Sequence, residues 1–257
     1  MENAVVKDVL NAGWVAALAC AACLAGCTGT AESASERPDY RGIVASPDRS
    51  ETDRQTDQRR HPDLLLAFAG VRPGMRVLDA GAGAGYSTEL LARAVGPLGI
   101  VYAQDSPAVV GRPVDERFDE RAKKPAMKNV VRVLRDFDDP VPPEVHGLDL
   151  VMFLFFYHDT TYMNVDRAKM NRRLFEALKP GGVLIVADHS AAPGAGTGVG
   201  KSLHRIEESA LKQEVEAAGF RLMAEADFLR HPEDLRDAVV FRPKVPVDEF
   251  VLKFVRP

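Results

Sequence analysis

Residues 148–156 read Leu148-Asp149-Leu150-Val151-Met152-Phe153-Leu154-Phe155-Phe156, an apolar run interrupted only at its second position. A strand with one wet face alternates polar and apolar residues, so this run predicts a strand covered on both sides. Such strands sit in the middle of parallel sheets, where each connection crosses over the sheet and leaves a helix on one face or the other. The rest of the chain has the matching alternation. A helix is predicted over Pro62–Gly70, with proline in its first turn and glycine at its end. Strands are predicted at Met75–Asp79, Ile100–Asp105, Val130–Leu134 and Val183–Ala187. Leu90, Leu91, Ala94 and Val95 keep a helical period until Gly96-Pro97; Met170, Leu174, Ala177 and Leu178 keep another until Lys179-Pro180-Gly181-Gly182.

Beyond residue 200 the pattern predicts a helix over 201–218 closed by Gly219 and a strand from Phe220 to Ala226. The last strand, Glu249–Phe254, alternates cleanly and should bury one face. Two final strands joined by a loop alone pair antiparallel. The fold expected is therefore α/β, a Rossmann-like doubly wound sheet of seven strands, mostly parallel with an antiparallel C-terminal strand.

The chemistry is concentrated where the first strand ends. Residues 77–87, Val77-Leu78-Asp79-Ala80-Gly81-Ala82-Gly83-Ala84-Gly85-Tyr86-Ser87, pass from an apolar run to an acid and then alternate glycine with alanine. Glycines at a strand-to-helix turn let a ligand approach the backbone amides at the helix start, although they also fill tight turns for packing alone. A dinucleotide fingerprint would put its third glycine at Tyr86, and here it comes one residue early, at Gly85. Asp79 would repel a pyrophosphate and suits a cationic ligand. S-adenosylmethionine carries an ammonium and a sulfonium. At these residues the chain resembles the class I S-adenosylmethionine-dependent methyltransferases, whose first motif is an acid followed by G-x-G-x-G; Asp79, Gly81, Gly83 and Gly85 match it.

The turn Leu178-Lys179-Pro180-Gly181-Gly182 before a strand is a second resemblance, which spans about residues 60–257 and is nearest to bacterial methyltransferases with an export or lipoprotein signal. The resemblance implies S-adenosylmethionine as cofactor, held by Asp79, the three glycines and Tyr86. Asp105 ends the second strand 20 residues beyond Gly85, where a ribose-binding acid belongs. Asp136 and Phe137 stand in the loop expected to meet the adenine.

The reacting sulfonium is a good leaving group, so positioning does most of the work. Ligands of open α/β sheets bind outside the carboxyl ends of the strands. Tyr157, His158 and Asp159 lie past the fourth strand, Asp188 and His189 past the fifth. His158 beside Asp159 is the expected acid-base pair, with Tyr157 orienting the acceptor and Asp188-His189 as the next candidates. The alternative is that His158 caps the following helix and Tyr157 only lines the pocket. His204 and Arg205, on the helix after the glycine-rich 194–200 loop, meet either substrate or solvent. No metal is expected, since these histidines and aspartates do not follow the pattern of catechol-type methyltransferases. Gly200-Lys201-Ser202 is not a P-loop, because Ala195 stands where the first glycine belongs; the loop is a flexible connection or lid.

A net charge of −4 argues against a nucleic-acid partner and for a small-molecule acceptor. The three cysteines, Cys20, Cys23 and Cys27, all precede the domain, so its body can form neither a disulfide nor a cysteine metal site. Residues 13–27 carry no charge and have the length of a signal-peptide apolar region, shorter than the ~20 residues of a membrane span. Leu24-Ala25-Gly26-Cys27 resembles a lipobox, in which the peptide is cut before Cys27 and its thiol lipidated. The expected organisation is a signal peptide at 1–26, a tether at 27–58 and a methyltransferase domain at 59–257, anchored in a bacterial envelope and facing the periplasm. Lys7 is offset by Glu2 and Asp8, unlike a usual signal, which leaves open a misassigned start and a cytoplasmic protein. The charged stretch 51–61 reads equally as an exposed helix over the ligand mouth or a solvated linker.

Two function classes stay open at this point: a methyltransferase acting on a small molecule, and a lipid-anchored protein that binds S-adenosylmethionine or another nucleoside without catalysis. An NAD-dependent oxidoreductase is disfavoured by Asp79 and Tyr86.

Overall fold

The computed structural model describes residues 38–241 and 243–257. The signal peptide, Cys27 and the first part of the expected tether lie outside the described residues. Seven strands, β1 Arg76–Ala80, β2 Ile100–Asp105, β3 Val130–Leu134, β4 Leu148–Leu154, β5 Leu178–His189, β6 Arg221–Ala226 and β7 Glu249–Val255, form one sheet in the order β3-β2-β1-β4-β5-β7-β6. The first five are parallel, and β7 runs antiparallel to both β5 and β6. Strand order reverses between β1 and β4, which leaves a crevice at their carboxyl ends.

The β4 run behaves as its composition requires. Leu150, Val151, Met152 and Phe153 are all at most 1% exposed. With a period of two, Val151 and Phe153 join one apolar cluster with Leu78, Leu184 and Phe250, while Leu150 and Met152 join the other with Val77, Leu91 and Ile185. Each such burial is worth about 1.5–3 kcal/mol. The faces are covered by α3 Pro62–Ala69, α4 Tyr86–Val95, α5 Pro113–Ala122, α6 Arg167–Ala177 and α8 Glu208–Ala217, preceded by α1 Tyr40–Val44 and α2 Glu51–Arg60 and joined near the end by the short α7 Gly200–Leu203. Among the described residues no helix is long and apolar enough to cross a membrane.

Three features depart from the sequence reading, and a further one is the helical alternative it offered. The charged 51–61 stretch forms α2: Ser50 caps it by accepting from the Asp53 amide, and residues 40–58, expected as tether, dock on the domain, the Tyr40 hydroxyl donating to the Val71 carbonyl at 2.6 Å. The expected 201–218 helix is two, broken where His204 takes a left-handed conformation (φ 52°) so that Ile206 can bury completely and donate its amide to the His189 carbonyl. Strand β5 begins at Leu178 and absorbs the Lys179-Pro180-Gly181-Gly182 turn as a register shift against β4, so Asp188 and His189 close the strand rather than follow it. Finally, β7 is inserted between β5 and β6, and Phe250, Val251 and Leu252 are all fully buried, so its alternation separates two apolar clusters rather than core from water.

Candidate functional site

The loop between β1 and α4 holds Gly81, Gly83 and Gly85 at φ of 70°, 55° and 79°, a region that side chains other than glycine enter at a cost. At Gly85 space is also closed: a Cβ would lie 3.0 Å from Arg121 Cδ and 3.1 Å from the Phe118 ring. The Gly83 amide donates to Asp105 Oδ2 at 3.0 Å, and the Ser106 amide donates to Oδ1 at 2.8 Å. Asp105 is thus aimed by backbone from both loops, and burial raises its pKa.

Two clefts meet at this loop and share Gly81, Gly83 and Phe156. The smaller, about 400 Å³, runs past Asp105, Ser106 and Phe137 to Asp159 and Tyr162. The larger, about 840 Å³, runs past Tyr86 and Ser87 under α2, with Arg59, Arg60 and Phe155 on its wall. Phe137 stacks on Phe156 with ring centroids 4.9 Å apart. The Tyr86 hydroxyl donates to Asp57 Oδ1 at 2.6 Å, which ties the loop to α2.

Arg60 is the residue that the sequence reading missed. Its guanidinium lies 4.5 Å over the Phe155 ring and 5.3 Å over Tyr86, and its buried Nε has no hydrogen-bond partner. Burial pushes its pKa down to about 10. A half-buried guanidinium whose buried Nε lacks a partner carries a desolvation cost, and a carboxylate arriving in the cleft would offset it. Phe155 itself is held at φ 57°, which costs about 1–3 kcal/mol for a residue of this kind. A ligand with an amino-acid carboxylate at one end and a ribose at the other therefore finds Arg60 and Asp105 in place, with the glycine loop between them.

Other expected site residues move. Asp79 lines neither cleft: it is 1% exposed, and its Oδ2 accepts from Ser87 Oγ at 2.9 Å and Thr88 Oγ1 at 2.6 Å. It pins the first turn of α4 instead of reaching the ligand, and burial lifts its pKa to about 6. Asp136 is exposed and also lines neither cleft; only its neighbour Phe137 turns inward.

Tyr157 is fully buried on the other side of its turn, where its hydroxyl donates to Glu214 Oε2 at 2.9 Å and accepts from Asn171 Nδ2 at 2.7 Å. It cannot orient an acceptor. His158 is 2% exposed, with Nδ1 2.7 Å from Asp188 Oδ1 and Nε2 3.1 Å from Asp159 Oδ1. Burial favours the neutral ring, but Asp188 and Asp159 outweigh it and raise the pKa to about 9. Both ring nitrogens thus face carboxylates and the ring lines neither cleft, an arrangement that does not suit His158 as the general base. Asp159 is the member of the pair that faces a cleft. His189 stacks on Phe155, with centroids 5.5 Å apart, and its Nδ1 lies 2.9 Å from Glu249 Oε1. Arg205 meets neither substrate nor solvent: it is 1% exposed and paired with Asp234 at 2.8 Å.

A family described as "Methyltransferase domain" matches residues 72–226, more than half of the sequence, and the chain belongs to it. Over 130 residues it is 34% identical to the ubiquinone/menaquinone biosynthesis C-methyltransferase UbiE of Burkholderia multivorans, covering 49% of this chain and 48% of that protein. Over 131 residues it is 33% identical to the same enzyme of Vibrio vulnificus, covering 49% and 46%. The chain thus spans about half the length of the curated relatives it matches. Among solved structures it is similar in fold to a SAM-dependent methyltransferase from Aquifex aeolicus, with a TM-score of 0.57, 22% identity and coverage of 86% of this chain and 100% of that one. An arsenic(III) S-adenosylmethionine methyltransferase from Chlamydomonas reinhardtii gives a TM-score of 0.54 at 18% identity, over 84% and 72% of the two chains. The chain carries a methyltransferase domain on a seven-stranded, Rossmann-like sheet.

Proposed function

We propose that the protein methylates a small-molecule acceptor held in the larger cleft, between α2 and the Phe155-Phe156 turn. The observation that carries this reading is the placement of Asp105 and of Arg60, whose buried Nε lacks a hydrogen-bond partner, in two clefts that meet at the glycine loop, which suits the two ends of the cofactor and leaves volume under α2. S-adenosylmethionine, when bound, supplies an electrophilic methyl on its sulfonium. Asp105 would accept hydrogen bonds from the ribose hydroxyls, and Arg60 would pair with the amino-acid carboxylate. Phe155 and Phe156 exclude water between them. Because His158 lines neither cleft, catalysis rests on proximity, with an acceptor that is already nucleophilic at neutral pH. The relatives' names speak of carbon methylation in quinone biosynthesis, so hydroxylated aromatic rings are the acceptors to test first.

Turnover decides between this reading and binding alone. Release of the demethylated cofactor, screened over phenols, thiols, amines and carboxylates, should reveal at least one accepted class. Asp105→Ala should then lose roughly ten- to hundredfold in cofactor affinity, as for a charge-assisted hydrogen bond worth ~1.5–3 kcal/mol. Wild-type affinity in that variant would remove the cofactor assignment, and binding without turnover on every class would leave a binding protein. We further propose that Cys27 is lipidated after removal of residues 1–26 and that the domain faces the periplasm. The lipobox-like Leu24-Ala25-Gly26-Cys27 supports this. On this reading the tether is the segment between Cys27 and α1, since α1 and α2 dock on the domain. Intact-mass measurement from a bacterial host tests the anchor: a full-length N-terminus without acyl mass excludes it.

A further inference from the structure

We propose that His158, Asp159 and His204 form a binding site for a divalent first-row transition-metal ion. Three potential ligand atoms come together with almost equal spacing: His158 Nε2 to Asp159 Oδ1 is 3.1 Å, His158 Nε2 to His204 Nδ1 is 3.3 Å, and His204 Nδ1 to Asp159 Oδ1 is 2.9 Å. The corners of such a triangle lie about 1.8 Å from its centre. An ion about 1 Å above the plane therefore stands about 2.1 Å from all three, the usual bond length from zinc to imidazole nitrogen and carboxylate oxygen.

Protons cannot satisfy the same triangle. The carboxylate only accepts, so each ring nitrogen needs a hydrogen to bond it, and the nitrogen–nitrogen edge is then two donors facing each other. If either nitrogen is bare, its edge to the carboxylate is lost. A cation takes all three lone pairs at once.

The surroundings hold the ligands in this arrangement. His158 turns its other nitrogen, Nδ1, to the fully buried Asp188 at 2.7 Å, and the second oxygen of Asp188 takes the His158 amide at 2.8 Å. A carboxylate behind a ligating imidazole fixes its orientation and raises its basicity. Gly200 lets α7 lie directly on the turn that carries His158 and Asp159: a Cβ there would fall 2.1 Å from Thr161 Oγ1 and 2.7 Å from the His158 carbonyl. Four residues later the left-handed backbone at His204 brings its ring back to Asp159. Side-chain exposures of 3%, 16% and 23% for His158, Asp159 and His204 leave the ion reachable from one side. Two imidazoles with one carboxylate suit zinc, iron or cobalt rather than magnesium or calcium. The site departs from the metal-free expectation of the sequence and does not depend on the cofactor assignment.

The test uses the full chain, stripped with chelator and titrated with Co²⁺, the visible ligand-field bands reporting nitrogen and oxygen coordination. Wild type should bind one equivalent with these bands and give it up to Zn²⁺. His204→Asn, chosen because asparagine tolerates the left-handed backbone, and Asp159→Asn should each weaken that equivalent at least tenfold. Cys20, Cys23 and Cys27 are common to all three proteins, and cobalt on thiolates adds near-ultraviolet charge-transfer absorption that identifies it. Absence of a non-thiolate equivalent in wild type overturns the site whatever the variants do. An equivalent bound equally well by wild type and by both folded variants overturns it too.

Discussion

Arg60 and Phe155 lie against each other on the wall of the larger cleft, the guanidinium 4.5 Å above a ring whose backbone is held in the left-handed region. Each explains the other: the ring shields one face of the cation, and the strained turn aims the ring at it. If Arg60 receives the carboxylate of the cofactor, Arg60→Ala should weaken cofactor binding by roughly ten- to hundredfold. Arg60→Lys should recover only part of that loss, because an ammonium lacks the planar fork and stacks less well on the ring. A stability measurement separates the roles, since removing a half-buried cation whose Nε lacks a hydrogen-bond partner should leave the apo protein as stable as wild type or more so. Unchanged affinity in Arg60→Ala would assign the arginine to packing.

Asp79 makes a prediction about pH. Its carboxyl, ordinarily near 3.8, is lifted to about 6, so the folded protein holds this proton more tightly than the unfolded chain. The stabilisation is complete below about pH 4 and is lost as pH rises through about 6, a change of about 3 kcal/mol for this residue alone. Asp79→Asn keeps partners for the Ser87 and Thr88 hydroxyls and removes the charge. Urea unfolding of both proteins from pH 4 to 8 should therefore show the variant gaining on wild type as pH rises, until the gap levels off above about pH 7. A constant gap across that range would mean that Asp79 is not perturbed.

Tyr157→Phe tests the correction made at the fourth strand. The hydroxyl serves Glu214 and Asn171 and reaches neither cleft. Its removal should cost about 1–3 kcal/mol of stability through the buried amide left behind. Turnover at a temperature where the variant is folded should stay within twofold of wild type. A tenfold fall without loss of stability would restore Tyr157 to the site.

The reasons for what could and could not be read are local. Periodicity located every strand, because apolar runs such as Val151 and Phe153 record which face of the sheet each side chain meets. Periodicity could not tell that β7 is covered on both faces, since a strand inserted between two others alternates whether its two faces meet one cluster or two. Motif spacing brought Asp105 and the glycines to one loop, where the Gly83 amide bonds Asp105. It could not foresee that Tyr157 and His158, adjoining on a tight turn, meet different partners, Glu214 and Asp188. It also could not foresee Asp188 behind His158, a relationship created by the pairing of Leu154 with Ala187 in neighbouring strands. Arg60 was hidden in a charged stretch whose composition resembles a solvated surface, and only the docking of α2 turns one guanidinium inward.

Arg121 is one of the ties that hold α2, beside Tyr86–Asp57 and Arg59–Glu249, and it gives the last prediction. From α5 its guanidinium reaches Asp53 on α2 at 2.7 Å, Glu89 on α4 at 2.5 Å and the Ala84 carbonyl in the glycine loop at 2.8 Å. The two acids differ in what they keep when it is removed. Glu89 retains Arg93 and Lys124, whereas Asp53, 4% exposed, loses the guanidinium that holds both of its oxygens. An uncompensated buried carboxylate costs about 3–5 kcal/mol, and releasing α2 to water is the available relief. Arg121→Ala should therefore act locally. Amide hydrogen exchange over residues 51–60 should accelerate by at least tenfold while β1 and β4 keep their protection, and cofactor affinity should fall because Arg60 leaves with the helix. Equal acceleration in α2 and in the central strands would mean that Arg121 supports the whole domain, and unchanged protection in α2 would mean that the helix is held by other contacts.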